Sequence, residues 1–134
     1  DLLAAHLVIV TANTADGPAL FLVDMDDAGA SVAPAETMDL VRRHGALTLD
    51  GARAEPLGDA AAYHRWLDRA AVLGAWEAIG TGSVAMEMAV AYAKDRVAFG
   101  QRIGRYQGVK HKCADMYVKL ELARAHALYG AWAM

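Results

Sequence analysis

The chain has 134 residues and a formal net charge of -3, with 56% hydrophobic and 22% charged residues. That length supports a domain with its own core, and the acidic balance excludes a nucleic-acid partner, which needs a basic face for counterion release. Every apolar run is interrupted by charge well short of a membrane span, and the single cysteine, Cys113, leaves no internal disulfide and fits a reduced, cytoplasmic setting.

The sequence opens at Asp1 without a methionine or the basic segment of a signal peptide, directly in strand-like residues. It is expected to be cut from something longer. His6 to Ala12 is short and β-branched and reads as a strand, which Asn13 to Pro18 then breaks with Asp16-Gly17-Pro18. Ala19 to Asp24 is a second strand, so the two form a hairpin with a six-residue connection. Ser31 to Pro34 is a third, with Pro34 marking an edge or an end. Leu40 to Asp50 is a fourth, stopping at the turn signal Asp50-Gly51. Strands this short bury little alone, and are expected to belong to a larger sheet whose other members lie before Asp1.

From about Ala60 to Lys94 the alternation gives way to a 3.6-residue period. Val72, Trp76, Ile79, Met86 and Val90 make a bulky stripe, and Ala71, Gly74, Ala78, Gly82, Ala85 and Ala89 a small one. Apolar residues on two faces predict a helix buried on two sides. Asp68 and Arg69 open this helix, which at ~28 residues is about 42 Å long. Gln107 to Met134 is a second helix with Val109, Cys113, Met116, Leu120, Ala123 and Ala127 as its core stripe. Asp115 with Lys119, and Glu121 with Arg124, are spaced for surface ion pairs. The fold class is α+β: a partial antiparallel sheet followed by two long antiparallel helices, to which further helices are expected to add. The change of period puts a boundary near Glu55 to Asp59, dividing the chain into residues 1–56 and 57–134.

The chemistry concentrates where the two helices meet. Tyr92-x-x-x-Arg96-x-x-Phe99-Gly100-x-x-Ile103-x-x-x-Gln107, followed by Ala114-Asp115-Met116, collects an arginine, a phenylalanine and a glutamine at a glycine-punctuated corner. Each has an ordinary explanation: Arg96 as a cation at a helix C-terminus, Phe99 as a core plug, Gln107 as a polar helix start. Each also suits a phosphate-bearing ligand, since guanidinium binds phosphate oxygens bidentately and stays charged.

This pattern resembles the acyl-CoA dehydrogenase family, flavoproteins that desaturate acyl-CoA thioesters; the likeness is specific from about Asp68 onward. It implies a fragment holding the end of the middle β-domain (1–56) and the first helices of the C-terminal helical domain (57–134). It implies FAD as cofactor, with Arg96 on the pyrophosphate of FAD held by a neighbouring subunit, Phe99 against the flavin, and Gln107 beside Tyr106 on the ADP part. Many relatives carry a hydroxyl residue two positions after the arginine; Ala98 stands there, so one polar contact is expected to be lost. Asp68 and Arg69 fall where the family lines the thioester and pantetheine cleft. The reaction implied is α,β-desaturation, with a glutamate taking the α-proton, a β-hydride passing to flavin and electrons leaving to an electron-transfer flavoprotein. No catalytic base is assigned in this chain, which alone is expected to be inactive. The resemblance also implies a dimer or tetramer, homo- or hetero-oligomeric, and the run His111-Lys112-Cys113-Ala114-Asp115-Met116 is similar to bacterial members acting on bulky or steroid-type acyl-CoA.

Two other readings compete: a non-catalytic scaffold subunit of a hetero-oligomeric dehydrogenase, and a free-standing α+β module without cofactor. No metal site is expected. His6, His44, His64, His111 and His126 lack ligand spacing, Asp24, Asp26 and Asp27 lack the downstream glutamate of a calcium loop, and Gly80-Thr81-Gly82 does not follow a strand as a phosphate loop would.

Overall fold

The computed structural model describes residues 2–39 and 41–134. Leu40, the first residue of the fourth strand expected from sequence, and Asp1 lie outside the described residues. Two compact units divide between Trp66 and Leu67.

In the first unit a 3-10 turn at Leu2–Ala4 precedes five strands: β1 (Leu7–Thr14), β2 (Gly17–Asp24), β3 (Ala30–Pro34), β4 (Gly45–Leu49) and β5 (Ala54–Gly58). β2 lies between β1 and β5 in an antiparallel sheet, and β3 pairs with β4 in a separate ribbon. The central position explains why Leu20 and Val23 of β2 are the buried residues of this unit, Val23 completely so. Full burial of a valine contributes about 1.5–3 kcal/mol.

Three details differ from the sequence reading. The β1–β2 connection is two residues, Ala15-Asp16, because pairing continues to Thr14 opposite Gly17. Gly17 takes φ 110°, and the Thr14 hydroxyl donates to its carbonyl at 2.8 Å. The fourth strand starts at Gly45, since Asp39 binds the backbone amides of Val41 and Arg42 ahead of it. Its Oδ1 accepts from the Val41 amide at 2.9 Å and the Arg42 amide at 3.3 Å. Those two amides, with His44 Nε2 at 3.6 Å, hold the Asp39 carboxyl below its ordinary range. Finally, Ala54–Gly58 is a strand, where a boundary was expected. Pro56 concealed it: a residue with no N–H is tolerated at a sheet edge or a register break, and β5 ends the strand order with such a break at Leu20/Phe21.

Helix α1 (Ala60–Asp95) has 36 residues, about 54 Å. It is longer than the ~28 residues read from the sequence because Asp59 starts it: the Asp59 Oδ1 accepts from the Ala62 amide at 2.9 Å, an N-cap. After α1 come two short strands, β6 (Val97–Ala98) and β7 (Gln101–Arg102), a 3-10 turn at Ile103–Arg105, and helix α2 (Gln107–Ala133).

In the second unit α1 and α2 are antiparallel. A Cβ on Gly82 would stand 3.4 Å from Leu120 Cδ1, and one on Gly130 would stand 3.1 Å from Val72 Cγ2. Gly82 of the small stripe thus faces Leu120, while Val72 of the bulky stripe faces Gly130. Ile79, Ala93 and Ala127 are the buried residues. Between the helices runs an open apolar groove of about 570 Å³, with Ile79, Gly82, Met86, Met116 and Leu120 in its walls. Arg124 donates to Ser83 Oγ at 3.3 Å across the pair and meets Glu121 at 3.4 Å. Among the described residues no ion pair joins Asp115 to Lys119.

Candidate functional site at the helix–helix corner

The corner is a β-hairpin inserted between two helices. Helix α1 ends at Asp95, and the Arg96 amide still donates to the Tyr92 carbonyl at 2.8 Å. Val97 then pairs with Arg102 and Ala98 with Gln101, leaving Phe99-Gly100 as a two-residue turn. Both turn residues have positive φ, 51° for Phe99 and 78° for Gly100, as the tight hairpin turn with the favoured twist requires. Asparagine or glycine ordinarily fills the first of these positions. Phenylalanine there is an outlier, and such strain costs about 1–3 kcal/mol.

Packing within these 134 residues gives no compensation: Phe99 is 96% exposed there and plugs no core among them. Two contacts hold the hairpin in place. The Tyr106 hydroxyl donates to the Ala98 carbonyl at 3.0 Å, with the Phe99 carbonyl at 3.5 Å. Ile103 donates to the Arg96 carbonyl at 2.8 Å. Gly104 permits the fit, since a Cβ there would stand 2.8 Å from the Ala93 carbonyl oxygen.

Phe99 and Tyr106 share the wall of a cavity of about 380 Å³ with Ala98, Ile103, Val109 and Lys112. Arg96 and Gln107 do not line it; they are exposed beside it, at the end of α1 and the start of α2. Among the described residues the Arg96 guanidinium has no carboxylate partner. From Lys94 to Lys112 six Lys and Arg residues face a single acid, Asp95, a local balance of +5 in a chain of net charge -3. The corner thus combines an exposed aromatic ring with an excess of positive charge.

Asp68 and Arg69 are not part of it. They lie more than two turns inside α1, which begins at Ala60, rather than opening it, and both are exposed. Twenty-seven residues of helix, about 40 Å, separate them from Asp95 and Arg96. Among the described residues no cluster of three or more His, Cys, Asp or Glu could hold a metal ion. The sequence reading missed Lys112 as a member of the cavity wall.

Residues 58–134 match the family described as acyl-CoA dehydrogenase, C-terminal domain. The chain belongs to the acyl-CoA dehydrogenase family. Acyl-CoA dehydrogenase IpdE2 of Mycolicibacterium smegmatis is 46% identical over 92 residues, which is 69% of this chain and 28% of that protein. A solved glycine-to-alanine variant of the Tcur3481–Tcur3483 steroid ACAD superposes with a TM-score of 0.90 at 36% identity, over 96% of this chain and 35% of that one. A glutaryl-CoA dehydrogenase from Mycobacterium smegmatis, solved in complex with FADH2, superposes at 0.79 with 26% identity, over 95% and 35%. The chain thus spans about a third or less of the acyl-CoA dehydrogenases that it matches.

Proposed function

We propose that the polypeptide carrying this chain is an FAD-dependent acyl-CoA dehydrogenase, and that the corner contributes to FAD binding across a subunit interface. The observation that carries the proposal is Phe99: a fully presented aromatic ring, on strained backbone, in a basic corner. A fold does not keep that arrangement for its own stability. Family membership supplies the ligand class, and the FADH2 complex of the glutaryl-CoA dehydrogenase supports it.

The residues fit such a group. Arg96, charged and unpaired, is placed to take the pyrophosphate, a charge-assisted contact worth about 1.5–3 kcal/mol. Phe99 offers a flat apolar surface to the flavin. Tyr106 is a positioning residue, fixing the carbonyls of Ala98 and Phe99 and so the direction of the ring. Gln107 offers an amide at the first turn of α2 for the ADP part. When bound, FAD would supply the hydride acceptor for α,β-desaturation of an acyl-CoA thioester. This chain's share is binding and orientation, and the base is assigned outside it. Asp68 and Arg69 remain candidates for the acyl-CoA cleft.

The same reading makes residues 1–56 the end of the middle β-domain and 57–134 the first part of the helical domain. It makes the protein a dimer or tetramer, passing electrons to an electron-transfer flavoprotein in the cytoplasm. Among the described residues no helix is long and apolar enough to cross a membrane. Nothing in the corner favours the scaffold-subunit reading, which flavin binding without turnover would support.

The test is flavin retention by the full polypeptide through gel filtration, with and without Arg96→Ala. Retention in the unaltered protein and loss in the variant is expected. Equal retention in both would reduce Arg96 to a helix cap; flavin in neither would refute the proposal.

A further inference from the structure

We infer that Lys112 is a second phosphate-binding cation of the corner, set to hold the pyrophosphate of FAD from the α2 side while Arg96 holds it from the end of α1. The inference rests on the reading of the corner as a flavin site. Three observations lead to it. Among the described residues Lys112 is the sole charged one in the wall of the Phe99 cavity, whose other sides are Ala98, Ile103, Tyr106, Gly108 and Val109. The face of α2 that carries it is also a mixed one. Val109, Lys112, Met116, Lys119 and Ala123 recur at three- and four-residue spacing and so share one face of α2. Apolar residues alternate there with Lys112 and Lys119, and Met116, Lys119 and Ala123 line the apolar groove farther along. A lysine in such a row can lay its stem along apolar neighbours and keep its ammonium free for an anion.

The third observation is the absence of a charge partner. Among the described residues no carboxylate lies within ion-pair distance of Lys112, although the chain has more acids than bases, 16 against 13. A cation beside an apolar cavity with an aromatic wall, and with no internal partner, is poised for an external anion. The Lys ammonium is a compact point charge on a flexible stem, suited to a phosphate oxygen whose exact direction the pocket does not fix.

The experiment measures affinity of the full polypeptide, stripped of flavin, for FAD and for riboflavin, which lacks the phosphates. Lys112→Met and Lys112→Arg are compared with the unaltered protein and with Arg96→Ala. Lys112→Met is expected to weaken FAD by about tenfold, the scale of one charge-assisted contact, and to leave riboflavin unchanged. Lys112→Arg is expected to restore most of the FAD affinity. Three results overturn the inference: unchanged FAD affinity in Lys112→Met, an equal loss for both ligands, or no rescue by arginine. If Arg96→Ala loses FAD while Lys112→Met does not, the flavin corner stands and Lys112 is a solvated helix residue. If the unaltered protein takes up no FAD, both readings fail together.

Discussion

Among the described residues the chain makes two tight hairpin turns, and they solve the same geometric problem in opposite ways. Between β1 and β2 the positive φ falls on Gly17, where it costs nothing sterically, and the Thr14 hydroxyl secures the turn. Between β6 and β7 the first positive φ falls on Phe99, a residue that resists it and gains no burial in return. The first turn is explained by stability alone. The second is not, and the surrounding structure has to hold it: Tyr106 from the start of α2, Ile103 on the Arg96 carbonyl, and Gly104 close against Ala93. The difference separates a turn whose residue suits its backbone from one whose residue does not.

Substitutions can break this contrast or sharpen it. The largest effect on folding belongs to Gly17→Ala. A Cβ there meets only ordinary contact with Ala60 at 4.0 Å, so the cost is backbone strain, about 1–2 kcal/mol of destabilisation, read from denaturant unfolding. A neutral result would mean that the hairpin tolerates rearrangement and that positive φ is a poor guide to strain in this fold. Tyr106→Phe is smaller. It removes the hydroxyl that donates to Ala98, a net loss of about 1 kcal/mol. Because that bond fixes the turn, flavin affinity should fall in the same variant, and a loss of stability with unaltered flavin binding would remove Tyr106 from the site.

The sequence makes some of this legible and hides the rest for identifiable reasons. The two helices are readable because their period is long and regular, while the face of α1 toward α2 draws on both stripes, with Val72, Ile79 and Met86 beside Ala78, Gly82 and Ala85. The residues of the corner are readable because Arg96, Phe99 and Gln107 fall at a fixed spacing around Gly100. The strain is not, because φ is not written in residue type: a Phe-Gly pair does not announce which of the two takes the left-handed conformation, and here both do. β5 is hidden by Pro56, whose lack of an N–H argues against a strand unless the edge position is known. The first turns of α1 are hidden because the cap is Asp59, while attention falls on the acid-base pair Asp68-Arg69 further along. Lys112 escapes notice because a lone lysine on a helix is ordinary until the cavity beside it is seen.

The most direct test of the central claim is Phe99→Gly, with unfolding free energy and FAD affinity measured side by side on the full polypeptide. Removing the side chain relieves about 1–2 kcal/mol of left-handed strain, offset by about 0.5–1 kcal/mol from the freer unfolded chain. The ring has no packing within these 134 residues to lose. Stability that holds or rises slightly while FAD affinity falls several-fold is the predicted result. A clear loss of stability with flavin binding intact would show that Phe99 serves the fold, and the claim that this corner is strained for the sake of a ligand would be wrong.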